Sequence, residues 1–114
     1  MNNLEHISLT AKEQRSLREI SQVLKSRLGV SRVILFGSKA RGEAGADSDM
    51  DLLVLTSCPA TLKLRDEISE SLADINLRDD IVMSSISVSE EEWNNGIIHY
   101  SPIYREVERD GCEI

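Results

Sequence analysis

The chain has 114 residues, of which 13 are basic and 20 acidic, and its formal net charge is -7. This length predicts one domain, spanning residues 1–114, with a single core. The acidic balance disfavours direct binding of nucleic acid, which relies on clustered Lys and Arg. No apolar run approaches the roughly 20 residues of a membrane span. With no N-terminal signal segment either, we expect a cytoplasmic protein with reduced cysteines.

The first predicted element is a helix. Thr10 and Glu13 have the spacing of a capping box, and Gly29 is suited to the position just beyond the helix end. Two short apolar runs follow, and they predict strands over residues 31–36 and 51–56. About 14 residues join them, which is enough for a hairpin with a long functional loop.

The second half of the chain predicts another helix, a third strand and further helices. Thr61 is a plausible N-cap, residues 76–79 are expected to connect, and residues 80–88 are expected to be extended. Ser89 and Ser101-Pro102 predict the starts of two later helices. A helix between the second and third strands implies a parallel, right-handed crossover. The expected fold class is therefore α/β (α+β), with a small mixed sheet flanked by helices.

The loop between the first two strands carries the residues that point to chemistry. Gly37-Ser38 directly follows the first strand, and glycine lets the backbone approach an anion closely. Asp49 and Asp51 stand two residues apart at the mouth of the second strand, so their carboxylates share a face. The GxxxxGK[ST] and GxGxxG phosphate loops are both absent. The pattern predicts a site for metal and phosphate.

Other charged residues near these motifs are less distinctive. Asp80 lies at the head of the third predicted strand and is a candidate third carboxylate, with the adjacent Asp79 as an open alternative. Arg41 is a candidate phosphate contact, although solvated loop charges are the favoured interpretation of both Lys39 and Arg41. His99 is interpreted as a surface or packing residue.

Three blocks of the sequence, VILFGSKARG, SDMDLLVL and DDIVMSS, resemble the polymerase-β-type nucleotidyltransferase superfamily, specifically its minimal nucleotidyltransferases. The resemblance runs from about residue 33 to residue 85 and implies the nucleotidyltransferase fold. It also implies ATP as substrate and two Mg²⁺ ions, which such a transfer places about 3.5–4 Å apart. Site residues are implied for the metal ions at Asp49, Asp51 and Asp80, and for the nucleotide at Gly37, Ser38 and Arg41.

The resemblance further implies an activity and a partner. Minimal nucleotidyltransferases of this kind resemble the antitoxin half of a toxin–antitoxin pair, whose partner is a HEPN-type ribonuclease toxin that is neutralised by binding or by adenylylation of a tyrosine. We therefore expect transfer of an NMP, most simply AMP from ATP, to a hydroxyl acceptor. Because the chain is short, the acceptor site is expected on a second copy, as a homo-oligomer, or on another protein. Two alternatives stay open: a non-catalytic module that masks a partner, and a small-molecule nucleotidyltransferase of the drug-modifying type.

Overall fold

The structure, a computed structural model, describes residues 9–42 and 49–114. Helices and strands alternate along the chain, in agreement with the expected α/β class. The elements are α1 (Ala11–Arg27), β1 (Val30–Phe36), α2 (Ser38–Arg41), β2 (Met50–Thr56), α3 (Leu62–Asp79), β3 (Met83–Ser89), α4 (Glu90–Asn95), a 3-10 turn (Ile97–Tyr100), α5 (Pro102–Asp110) and β4 (Cys112–Glu113).

The strands form one mixed sheet in the order β3-β2-β1-β4. β1 and β2 pair antiparallel as a hairpin, and β2 and β3 pair parallel across the α3 crossover, as expected. The short edge strand β4 pairs antiparallel with β1 and was not predicted. Central β2 is buried from Leu52 to Thr56, as its continuous apolar run indicated.

The predicted caps are confirmed. The Thr10 hydroxyl accepts a hydrogen bond from the Glu13 amide at 3.0 Å, and the Glu13 carboxylate accepts one from the Thr10 amide at 2.9 Å. Ser89 and Glu92 form the same box at the start of α4. Each box satisfies amide groups that a helix start leaves without partners.

The junction between α3 and β3 differs from the prediction. α3 continues to Asp79 where a connector was expected, and Asp80 caps it in the left-handed conformation, with φ 53° and ψ 53°. β3 begins only at Met83. The side chain of Asn76 bridges the gap, since it both donates to the Met83 carbonyl and accepts from the Met83 amide.

Contacts with α1 explain why α3 is longer than predicted. The Asp79 carboxylate accepts a hydrogen bond from the Ser16 hydroxyl at 2.7 Å, and the Arg78 guanidinium pairs with Glu19 at 2.8 Å. These contacts join residues about 60 positions apart in sequence, so they cannot be predicted from the local sequence pattern of α3. The last turn of α3 is therefore stabilised by docking rather than by its own propensity.

The two faces of the sheet are covered differently. One face packs against α1 and α3, and its cluster includes Leu17, Ile20, Leu24, Val33, Leu35, Leu52, Val54, Ile68, Leu72 and Ile75. The other packs against α4 and α5, and its cluster comprises Ile34, Phe36, Leu53, Leu55, Val88, Trp93 and Val107. Among the described residues, no helix is long and apolar enough to cross a membrane.

Candidate active site

The Gly-Ser motif and the second aspartate lie side by side at one end of the hairpin. Gly37 and Ser38 follow the last residue of β1, Phe36, which pairs with Asp51 in the antiparallel register. Asp51 is the second residue of β2, and Asp49 immediately precedes that strand. The hairpin therefore brings together two motifs that ten residues separate in the sequence.

Gly37 is held against the carboxylate of Asp51. Its φ of +80° lies in the region that favours glycine, and an added Cβ would stand 2.6 Å from Oδ2 of Asp51. Either feature alone would exclude a larger residue without rearrangement. The loop backbone and the carboxylate therefore share one compact site.

The two aspartates differ in their surroundings. Asp49 is exposed, whereas Asp51 is half-buried between β1 and β3. Asp51 pairs with Ser84 in the parallel register, and its Oδ1 accepts a hydrogen bond from the Ser84 hydroxyl at 3.1 Å. Asp51 thus lies between the Gly37 backbone and the Ser84 hydroxyl.

Lys39 is buried, so its interpretation as a solvated loop charge was wrong. Its Nζ pairs with Glu13 Oε2 at 2.8 Å, and the two side chains are only 4% and 8% exposed. Burial opposes ionisation of Glu13, but hydrogen bonds from Lys39 and from the Thr10 amide outweigh it and lower the pKa of Glu13. This pair ties α2, and with it the Gly-Ser loop, to the first turn of α1.

Arg41 lies on the exposed side of α2 and contacts α5. Its Nη1 pairs with Glu106 Oε1 at 2.8 Å, an arrangement that leaves its predicted role as a phosphate contact a prediction. Gly42 ends α2 in the left-handed conformation. The next part of the predicted loop, residues 43–48, lies outside the described residues.

The two adjacent candidates for a third carboxylate have different environments. Asp79 pairs with Arg78 and accepts from Ser16, and these hydrogen bonds hold the pKa of Asp79 well below its usual range. Asp80 is exposed at the end of α3, three residues before β3 begins. Within residues 9–42 and 49–114, no three acidic, His or Cys side chains gather closely enough to hold a metal ion. The catalytic and metal roles of Asp80 therefore stay predictions.

The donor set at the hairpin fits a magnesium ion that is shared with a nucleotide. Asp49 and Asp51 provide hard carboxylate oxygens at the start of β2, and Gly37 brings the loop backbone close to the Asp51 carboxylate. Mg²⁺ characteristically binds one or two carboxylates plus substrate phosphates, and keeps several waters. The residues thus suit an ion that arrives with triphosphate, rather than one held by an all-protein cage.

The remaining candidates have packing roles. Trp93 is 1% exposed and stacks at 4.8 Å from Tyr104, so it belongs to the core. His99 packs 4.2 Å from the same tyrosine ring. Cys58 is exposed and Cys112 buried, and both are free thiols.

Sequence reasoning missed Ser84 and the buried partner of Lys39. A weak signal for Ser84 exists, because strand alternation places it on one face with Val82 and Ile86, and a polar residue between two apolar ones is unusual there. No comparable signal joins Lys39 to Glu13, which are 26 positions apart.

The chain is similar to proteins of one known family. The nucleotidyltransferase domain family model matches residues 17–109. A Methanocaldococcus jannaschii protein provisionally named protein adenylyltransferase MJ0141 is 42% identical over 69 residues, which cover 60% of this chain and 68% of that protein. The protein adenylyltransferase MntA of Thermococcus cleftensis is 47% identical over 64 residues, which cover 54% and 64%. The matched regions therefore span only about two thirds of these relatives.

A solved structure provisionally named a minimal nucleotidyltransferase is 29% identical and has a TM-score of 0.60, covering 94% of this chain and 99% of that one. It supports the nucleotidyltransferase fold that the sequence blocks predicted. With the domain match, which spans most of the chain, the identification is confirmed: this chain belongs to the nucleotidyltransferase domain family, and its similarity is to the minimal nucleotidyltransferases.

Proposed function

We propose that this chain transfers AMP from ATP, with Mg²⁺, to a tyrosine hydroxyl of a HEPN-type toxin and thereby acts as its antitoxin. The observation that carries the proposal is the close approach of Gly37 to the Asp51 carboxylate, which joins a phosphate-approaching loop to an acidic pair. Two relatives are named protein adenylyltransferases. The fold is also shared with a chain of a toxin–antitoxin structure containing AMP-PNP, at 15% identity and a TM-score of 0.60, covering 91% of this chain and 72% of that one.

In this proposal the Gly-Ser motif and the acidic pair take separate parts in the reaction. Asp49 and Asp51 would hold the cation, and the backbone of Gly37 with the amide and hydroxyl of Ser38 would bind the β- and γ-phosphates. When bound, Mg²⁺ neutralises charge on the phosphates and on the departing pyrophosphate. Arg41, whose Nη1 pairs with Glu106, is the expected additional phosphate contact.

The transfer itself is a substitution at the α-phosphorus. The acceptor oxygen forms a bond to that phosphorus while the bond to the bridging oxygen of the β-phosphate breaks. Pyrophosphate leaves, and the acceptor hydroxyl proton passes to solvent or to a nearby carboxylate. The role proposed for the site is to hold the triphosphate in line for this attack, and positioning is most of what catalysis of phosphoryl transfer requires.

A labelling experiment tests the proposal. The chain, Mg²⁺ and ATP labelled at the α-phosphate are incubated with a purified HEPN-type toxin, and label on the toxin is measured. We expect label with the unaltered chain and with Asp66→Asn, an exposed control on α3, and no label with Asp51→Asn. Changing the acceptor tyrosine to phenylalanine should also abolish label. Equal labelling by Asp51→Asn would overturn the proposal.

Asp80 is tested by its own substitution. If it activates the acceptor, Asp80→Asn abolishes transfer and leaves nucleotide binding intact. Unchanged transfer would remove Asp80 from the site, in keeping with its position before β3 begins.

The rival function, a binding module that masks its partner without chemistry, has one observation in its favour: the described residues do not group three carboxylates. It predicts that Asp51→Asn still neutralises the toxin, with no label transferred by either form. A small-molecule nucleotidyltransferase predicts instead that label reaches a soluble hydroxyl compound without any second protein.

A further inference from the structure

We propose that Ser84 is the positioning residue of this site, and that its hydroxyl orients Asp51 toward the cation. The inference rests on the proposed function and adds a residue of β3 to a site so far built from β1, β2 and the loop between them. It is drawn from the packing of three neighbouring strands rather than from any sequence motif.

The first support is the contact itself. Ser84 Oγ lies 3.1 Å from Asp51 Oδ1 and donates to it. Because the two residues are register partners in the parallel pair, the backbone ladder on either side holds both side chains on one face. The contact is therefore a consequence of the sheet, not of a mobile loop.

The two carboxylate oxygens of Asp51 have different neighbours, which is the second support. Oδ1 accepts from Ser84, whereas Oδ2 faces Gly37 and the start of the loop. A carboxylate that is fixed through one oxygen presents the other in a constant direction. Metal-binding carboxylates are commonly hydrogen-bonded in this way, and such outer partners orient the ligand.

The third support is the character of β3 at this point. Ser84 and Ile86 of β3 share the face of Asp51, and Ile86 is 41% exposed. Ser84 is therefore the polar group of β3 that stands directly opposite Asp51. Being neutral, it adds a donor without the repulsion that a directly opposed like charge would cause.

The test compares two side chains of the same shape at position 84. Threonine keeps the hydroxyl and valine replaces it with a methyl group, and both suit a strand. Binding of a non-hydrolysable ATP analogue is measured by calorimetry in Mg²⁺ and in EDTA. The Kd in EDTA divided by the Kd in Mg²⁺ gives the metal-dependent gain in affinity. This readout needs no transfer activity.

We expect Ser84→Val and Ser84→Ala to reduce that ratio by about 10-fold, the lower end of the effect of losing such a partner. Ser84→Thr should keep it. Ser85→Ala, which alters the opposite face of the same strand, should also keep it. The free energy of unfolding of each variant is measured alongside, so that a variant that does not fold is recognised and the valine–threonine pair decides.

Two outcomes separate the inference from the function on which it rests. If Asp51→Asn removes metal-dependent binding but Ser84→Val and Ser84→Ala match the unaltered chain, the positioning role of Ser84 is wrong and the proposed function stands. If Asp51→Asn itself leaves metal-dependent binding unchanged, the proposed function fails together with the inference.

Discussion

Asp51 and Leu52 are neighbours in the chain but lie on opposite faces of the same sheet. Leu52 is fully buried in the cluster that α1 and α3 cover. Asp51 lies on the face that α4 and α5 cover, yet it is only half-buried, and Ile86 on the same face is also exposed. Both faces bury apolar clusters that stabilise the fold, and the open end of the α4/α5 face presents the acidic pair.

In this small chain, the residues that stabilise the fold are therefore different from the residues proposed to carry out the chemistry. Burial of apolar side chains, which is most extensive on the α1/α3 face, favours folding. The open end leaves carboxylates with water, where ionised groups are stable and a metal–nucleotide complex can enter. Substitutions on the α1/α3 face should therefore affect stability, whereas substitutions in the acidic pair should affect transfer.

The largest effect is expected at the buried ion pair between Lys39 and Glu13, which joins α2 to the first turn of α1. Lys39→Met should lower the free energy of unfolding by about 3–5 kcal/mol, because it leaves the Glu13 carboxylate buried without its partner. Chemical denaturation followed by circular dichroism measures it.

The control for the ion pair replaces both partners. Glu13→Leu combined with Lys39→Met should restore most of the lost stability, since neither charge then remains buried. If the double variant is as unstable as the single one, the pair acts through packing and capping rather than through charge.

The next effect concerns the face of the sheet that α1 and α3 cover. Leu52→Ala should cost about 2–5 kcal/mol in the free energy of unfolding, through lost burial and the cavity left behind. Ile86→Ala, on the α4/α5 face, should change the free energy of unfolding by no more than about 0.5 kcal/mol, as substitutions at exposed positions do. Comparable losses at both positions would show that Ile86 is covered in solution, and the same denaturation series measures them.

A smaller, pH-dependent effect is expected where α3 docks on α1. Hydrogen bonds from Arg78 and then Ser16 lower the pKa of Asp79, so this carboxylate stabilises the folded chain above its unfolded pKa of about 3.9. That contribution is lost as the pH falls through the folded pKa. Asp79→Asn should therefore flatten the decline of Tm below pH 4, and identical profiles for the two chains would contradict the assignment.

The smallest effect on stability is expected at Asp51. Asp51→Asn should change the free energy of unfolding by no more than about 0.5 kcal/mol, because the group is half-exposed and the amide keeps an acceptor for Ser84. Its effect on labelling should nevertheless be complete. A destabilisation as large as that of Leu52→Ala would mean that Asp51 is structural, and the comparison of the two faces would fail.

Local signals predicted most of the scaffold. Thr10 with Glu13, and Ser89 with Glu92, cap helices because the partners stand three residues apart and need no other part of the chain. The apolar run of β2 predicted a central strand for a similar reason. The juxtaposition of Gly37-Ser38 with Asp51 was also predictable, since a hairpin brings the end of one strand to the start of the next.

What the sequence by itself determined is therefore the family, the order of most elements, and the loop and acidic pair of the site. Only the tertiary structure decided the burial of Lys39, the length of α3 and the contact of Ser84 with Asp51. Those contacts join residues 26, 63 and 33 positions apart. Periodicity and capping act within a few residues, whereas such pairs form only after the helices and strands have packed.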